Sequence, residues 1–183
     1  MKFSEKTLEL IYSSNQIGDQ YSDKNKRWEN SPFEWILTLN SRSKGAAAEK
    51  IIDLFFSNQG YSVSRSKDSN YDRLIQDKKI EIKFSTEWDN DLGYVFQQIR
   101  NQDYDYIVCL GVMPSDAHLW VIPKDKYITE WENGINVKSQ HGGATSSETS
   151  WFRVIMGKSD DWLKHYGGTI EEGLDVFEKL VRS

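Results

Sequence analysis

The sequence predicts an α/β (α+β) fold, with a central mixed sheet of about five strands flanked by helices and further helices at both ends. Three observations predict it. Residues 46–56 carry Ala48, Ile51, Ile52 and Phe55 at i, i+3, i+4 and i+7, the stripe of an amphipathic helix. Ile80, Ile82 and Phe84 alternate with Glu81 and Lys83, the period of a half-buried strand. Residues 106–112, Tyr-Ile-Val-Cys-Leu-Gly-Val, form a near-continuous apolar run, as in a central strand buried on both faces.

The elements follow in order. Residues 3–17 read as a first helix with Leu8, Leu10, Ile11 and Tyr12 as its apolar positions, and residues 18–30 as a polar, turn-rich connection. Ser31-Pro32-Phe33-Glu34 has the form of a helix start, with Ser as N-cap, Pro in the first turn and Glu closing a capping box. That helix would carry Trp35, Ile36, Leu37 and Leu39 and end near Asn40, and residues 41–45 would lead as a loop into the helix of residues 46–56. Gly60 is a stop signal, and residues 61–64 begin a strand. Two strand-like runs meet in a hairpin over residues 69–84. Residues 93–100 read as a helix with Val95, Phe96 and Ile99 as contacts. The central strand, a turn at residues 113–116 and a strand over residues 117–122 ended by Pro123 complete the core. Residues 169–181 form an amphipathic helix with Ile170, Leu174, Phe177 and Val181 on one stripe, for which core packing and a dimer interface are both open. The organisation expected is one domain: a helical extension (1–43), a core (44–124) and a C-terminal extension (125–183).

The hairpin carries the chemistry. Glu81 and Lys83 stand on one strand face about 7 Å apart, and Asp72 lies on the preceding run. Two carboxylates and a backbone carbonyl, that of Ile82, are hard oxygen ligands of the kind Mg²⁺ takes while keeping several waters. A bound metal acidifies water and neutralises charge on a phosphate, and a neighbouring amine can orient the attacking water. Phosphodiester hydrolysis needs all three parts. The alternative is that Glu81 and Lys83 are only the solvated face of an amphipathic strand. A two-residue turn at Asp77-Lys78 sets Asp72 opposite Lys83, so that the three residues share a face; a three-residue turn would move Asp72 to the other side. Glu49, on the helix before the hairpin, is either a third acid of a metal site or the partner of a Lys or Arg at the helix edge.

The order αβββαββ, with Asp72 on the second strand and Glu81-Ile82-Lys83 on the third, resembles the PD-(D/E)xK nuclease superfamily over residues 44–124. Phe96-Gln97-Gln98-Ile99-Arg100 followed by Asp103-Tyr104-Asp105-Tyr106 is most similar to small type II restriction endonucleases. The resemblance implies a restriction-endonuclease-like core, a metal on Asp72 and Glu81, Lys83 beside the nucleophilic water, and Glu49 as accessory acid. It implies Mg²⁺-dependent hydrolysis of double-stranded DNA at a specific sequence, by a homodimer that meets two strands with two sites. A junction or repair nuclease of the same superfamily, or a silent DNA-binding module, is the alternative. Tyr71 stands where the motif has a nominal Pro, its loosest position. Gln97 or Gln98 would touch the site or the DNA backbone, or be an exposed helix amide.

Other DNA contacts are candidates by chemistry. Arg42 and Lys44 flank the helix entrance as phosphate contacts, or are simply solvated. Residues 138–150 are dense in hydrogen-bonding groups and glycine, and Lys138, Gln140, His141, Thr145 and Ser146 could read a groove, or form a surface loop. Net charge is −5, which argues against a non-specific nucleic-acid binder but not against a sequence-specific enzyme. The single cysteine, Cys109, lies in the apolar run and has no partner for a disulfide, which fits a reducing cytoplasm. No run approaches the ~20 apolar residues that cross a membrane. Asp68, Asn70 and Asp72 imitate a calcium loop, but Arg73 and Lys79 stand where glycine and glutamate are required. The three histidines and Cys109 lack zinc spacing, and no phosphate-binding glycine loop is present.

Overall fold

The computed structural model describes residues 4–88, 93–140, 148–158 and 162–182, with backbone only for residue 5 and residues 16–25. Three helices come first: α1 (Glu5–Lys26), α2 (Glu34–Leu37) and α3 (Ser41–Asn58). Strands β1 (Val63–Arg65), β2 (Arg73–Ile75), β3 (Lys78–Thr86), β4 (Gly93–Ile99), β5 (Tyr106–Val112) and β6 (Ala117–Pro123) follow. The chain ends with α4 (Lys124–Asn133), β7 (Val137–Gln140), β8 (Thr149–Ile155), β9 (Gly167–Thr169) and α5 (Ile170–Arg182). Among the described residues no helix is long and apolar enough to cross a membrane.

The main sheet has the order β1-β2-β3-β5-β6-β9, with β3 and β5 parallel and the other pairs antiparallel. A second, antiparallel sheet has the order β4-β8-β7. Strand alternation divides the core in two. Ile80, Ile82, Val108, Leu110 and Val121 pack with Ile52 and Phe56 of α3 and Phe177 of α5. Ile107, Cys109, Trp120 and Ile122 pack with Tyr94 and Phe96 of β4, Phe152 of β8 and Tyr127 of α4. The mixed α+β architecture is the one expected, and the central strand β5 is buried on both faces with Cys109 fully enclosed.

Local chemistry sets the helix ends. The side chain of Asn40 accepts the Ser43 N–H at 2.9 Å, so α3 starts at Ser41 and the expected loop 41–45 is helix. Gly60 closes it at φ +88°, with the Tyr61 N–H reaching the Phe56 carbonyl and the two rings in contact. At α5, Thr169 Oγ1 accepts from the Glu172 N–H while Glu172 Oε2 accepts from the Thr169 N–H, a reciprocal capping box.

Four further expectations are corrected. α1 continues to Lys26 instead of ending near residue 17. α2 is one turn, because Ser31 Oγ accepts from the Phe33 N–H without capping the helix and Asn40 already caps α3. Residues 93–100 form strand β4, not a helix: a bulge between Phe96 and Ile99 stretches the apolar spacing to three, which imitates a helical period. The hairpin turn is Gln76-Asp77, both residues at positive φ (50° and 61°), so Ile75 pairs with Lys78 and Arg73 with Ile80.

Tyr94 links the sheets. Its ring packs over Gly111, where a Cβ would lie 2.6 Å from the ring, and its hydroxyl is 2.7 Å from His118 Nδ1. Burial pushes the Tyr94 phenol far above its ordinary range, so the hydroxyl keeps its proton in this contact with His118. Gly111→Ala should destabilise the fold by about 1–3 kcal/mol through overpacking, read as a lower denaturation midpoint in urea. Burial lowers the His118 pKa, with Asp116 partly opposing. Protonation therefore costs the folded state more than the unfolded one. Stability should be level above the ordinary histidine value of about 6.5 and fall as pH drops below it. Thermal melts of the wild type against His118→Gln at pH 5 and pH 7.5 check this, with a smaller pH difference expected in the variant.

Candidate active site

β2 is three residues long and β3 nine, so among the described residues the edge of β3 that faces β2 has no strand beside it beyond Ile80. Asp72, one residue before β2, continues the ladder for one bond with its N–H on the Ile80 carbonyl at 2.9 Å. Its side chain then replaces the missing strand: Asp72 Oδ2 accepts the Ile82 N–H at 2.7 Å. The N–H and C=O of one strand residue leave on the same side, so the Ile82 carbonyl also faces this open edge. The paired register ends at Arg73 and Ile80, because the turn lies one residue earlier than expected, so Asp72 lies beyond the ladder instead of opposite Lys83. Asp72 nevertheless lines the same cavity as Glu81 and Lys83.

Glu81 is buried, at 8% exposure, and its Oε1 lies 2.8 Å from Lys83 Nζ. Burial pushes the Glu81 carboxyl above its ordinary range, Lys83 offsets part of the rise, and Asp72 adds to it. Lys83 Nζ also donates to the Gln98 carbonyl at 3.1 Å. That carbonyl is presented by the β4 bulge, where Gln98 takes φ +57° and its N–H is met by Gln140 Oε1 at 3.3 Å. A non-glycine residue at positive φ stores backbone strain, and here the strained peptide holds the amine.

Arg73 alternates to the opposite face and is almost wholly buried beneath α3. Its guanidinium meets Asp53 Oδ1 at 2.6 Å, Glu49 Oε2 at 3.0 Å and the Asp72 carbonyl at 2.8 Å. Glu49 thus takes the second of its two sequence alternatives, an ion pair, while still lining the cavity. Among the described residues no group of three or more His, Cys, Asp or Glu side chains is placed to hold a metal ion.

The cavity at this edge has a volume of about 530 Å³. α3 lines it with Ser41, Lys44 and Glu49, β3 with Glu81 and Lys83, and β4 with Gln97 and Gln98; Asp72 and Trp88 complete the wall. Asp72, Glu81, Lys83, Glu49, Lys44, Gln97 and Gln98 are therefore together, the two glutamines from an exposed strand bulge instead of a helix. Arg42 is exposed on the first turn of α3 and does not line the cavity. Lys138, on β7, is exposed and donates to the Gly134 carbonyl; Gln140 reaches the site only through Gln98. His141, Thr145 and Ser146 lie outside the described residues. Sequence reasoning missed Arg73 and Trp88. A charge between Asp72 and Leu74 on a strand that turns its other face to the core was a usable signal for Arg73.

No protein-family model matches the sequence, and no curated protein matches it. Among solved structures, the chain is similar to a bacterial homing endonuclease, I-Ssp6803I, with a TM-score of 0.49 and 16% identity, over 78% of this chain and 96% of that one.

Arg73→Leu should lower stability by about 1–3 kcal/mol, less than the ~3–5 kcal/mol of a fully buried pair because both acids are partly exposed. Urea denaturation checks it, and Arg73→Lys should recover only part, since an ammonium cannot bridge two carboxylates and a carbonyl in one plane.

Proposed function

We propose that this chain is a Mg²⁺-dependent endodeoxyribonuclease of restriction type, hydrolysing phosphodiester bonds of double-stranded DNA at a defined sequence. The observation that carries this reading is the convergence of Asp72, Glu81 and Lys83 at an open sheet edge, with the Ile82 carbonyl beside them. The donor set fits the metal: two carboxylates and a peptide carbonyl are hard oxygens, with neither thiolate nor imidazole among them. Asp72, Glu81 and Ile82 would hold the ion. When bound, it supplies a more acidic water and neutralises charge on the phosphate.

The chain's own residues do the rest. The Asp72 carboxylate is fixed by the Ile82 N–H, so its position follows the backbone and not a free rotamer. An ammonium has three N–H donors, and Glu81 and the Gln98 carbonyl engage two of those on Lys83. The third is left for the attacking water or a phosphate oxygen. Glu49, paired with Arg73, braces the cavity wall instead of joining the ligands. Lys44, Gln97 and Gln98 at the cavity, and Arg42, Lys138, Gln140, His141, Thr145 and Ser146 further out, are the proposed DNA contacts, with a second copy of the chain serving the other strand.

Incubation of the purified protein with unmethylated duplex DNA should give discrete fragments with Mg²⁺ and none with EDTA. Asp72→Asn and Lys83→Ala should each reduce cleavage by at least ~10²-fold, the size of a lost acid–base or positioning group, with the thermal melt retained. Undiminished cleavage by either variant would refute the assignment.

A further inference from the structure

An indole stands at the lip of the candidate site. Trp88 is 56% exposed and lines the same cavity as Asp72, Glu81 and Lys83. Tryptophan is normally among the more buried residues, so an exposed one in a polar cavity calls for a reason. Its backbone is well fixed. The Trp88 N–H donates to the Gly93 carbonyl at 2.9 Å, and the preceding Glu87 N–H donates to the Val112 carbonyl at 2.8 Å. The Glu87 side chain, 4% exposed, is paired with Arg27 at 3.0 Å. The ring is therefore carried on an anchored stretch of main chain, apart from both core clusters.

Resting on the nuclease reading above, we propose that Trp88 is a stacking platform for an unstacked nucleobase next to the scissile phosphate. Every base has a flat π face, so an exposed indole takes any of them, and such a contact changes affinity by roughly 5- to 150-fold. Lysines and amides on the remaining wall suit the sugar–phosphate chain, while the ring suits what hangs from it. Inside B-form duplex both faces of a base are covered by its neighbours. The ring therefore acts on a base that has left the stack, either in a single strand or at a kinked duplex step. Stacking neutralises no phosphate, so its share of the affinity is insensitive to salt, whereas the share from Lys44 is not.

The test is binding by the full chain, in EDTA so that nothing is cut, of labelled single-stranded and duplex oligonucleotides of about 20 nucleotides, longer than a ~16-nucleotide footprint. Trp88→Ala should weaken binding roughly 5- to 150-fold, and Trp88→Phe should recover most of it. The slope of log Kd against log salt should be unchanged in Trp88→Ala and shallower in Lys44→Ala. A loss confined to single strands identifies an unpaired base as the ligand; a loss on duplex as well identifies a kinked step. Equal affinity of Trp88→Ala and wild type on both probes overturns the proposal, as does a Phe variant no better than Ala. If the wild type binds and cuts DNA while Trp88→Ala is unaffected, stacking alone fails. If the wild type binds neither probe and cuts no duplex DNA with Mg²⁺, the nuclease reading fails with it.

Discussion

The candidate site depends on a mismatch in length between two neighbouring strands. β3 runs on for several residues after β2 has ended, and a strand edge left in that way exposes backbone donors and acceptors that must be satisfied. The carboxylate of Asp72 satisfies the Ile82 N–H, so an acidic side chain is fixed at the edge by the same force that builds the sheet. Glu81 lines the same cavity as Asp72, and Lys83 follows two residues later on the same side of β3. The opening is also the cavity. Had β2 been longer, a strand would occupy the space in which a substrate would lie.

The second constraint is the sign of charge on each face. Because strand neighbours alternate, Asp72 faces the cavity and Arg73 lies under α3, where it gathers Glu49 and Asp53. That guanidinium, together with the apolar contacts of Ile52 and Phe56, holds α3 against the sheet. The N-terminal turns of α3 in turn bring Ser41 and Lys44 to the cavity wall. One dipeptide therefore serves both sides of the sheet.

The hairpin was legible because period-two alternation is a strong signal, and an error of one residue in the turn leaves Glu81 and Lys83 on one face of β3. β5 was legible for a different reason, as a near-continuous apolar run too short for a helix. β4 was not, because its bulge replaces the two-residue period with a three-residue one; Tyr94, Val95, Phe96 and Ile99, all aromatic or β-branched, were the better guide. The partner of Glu49 could not be read, since nothing local to α3 announces an arginine brought to it by β2. α4, β7 and β8 escaped because each is short or broken by polar residues, and their burial comes from packing on β4 and β6.

The bulge has a consequence for how this site could vary among related chains. Gln98 contributes its carbonyl to Lys83, and any amino acid possesses a carbonyl. What position 98 must supply is a left-handed backbone, a property shared by glycine, asparagine and aspartate more readily than by glutamine. Part of the lysine's surroundings is thus written in conformation instead of in side-chain identity. Two homologues could differ at this residue and still hold the amine alike, while a chain that kept the glutamine but lost the bulge would not.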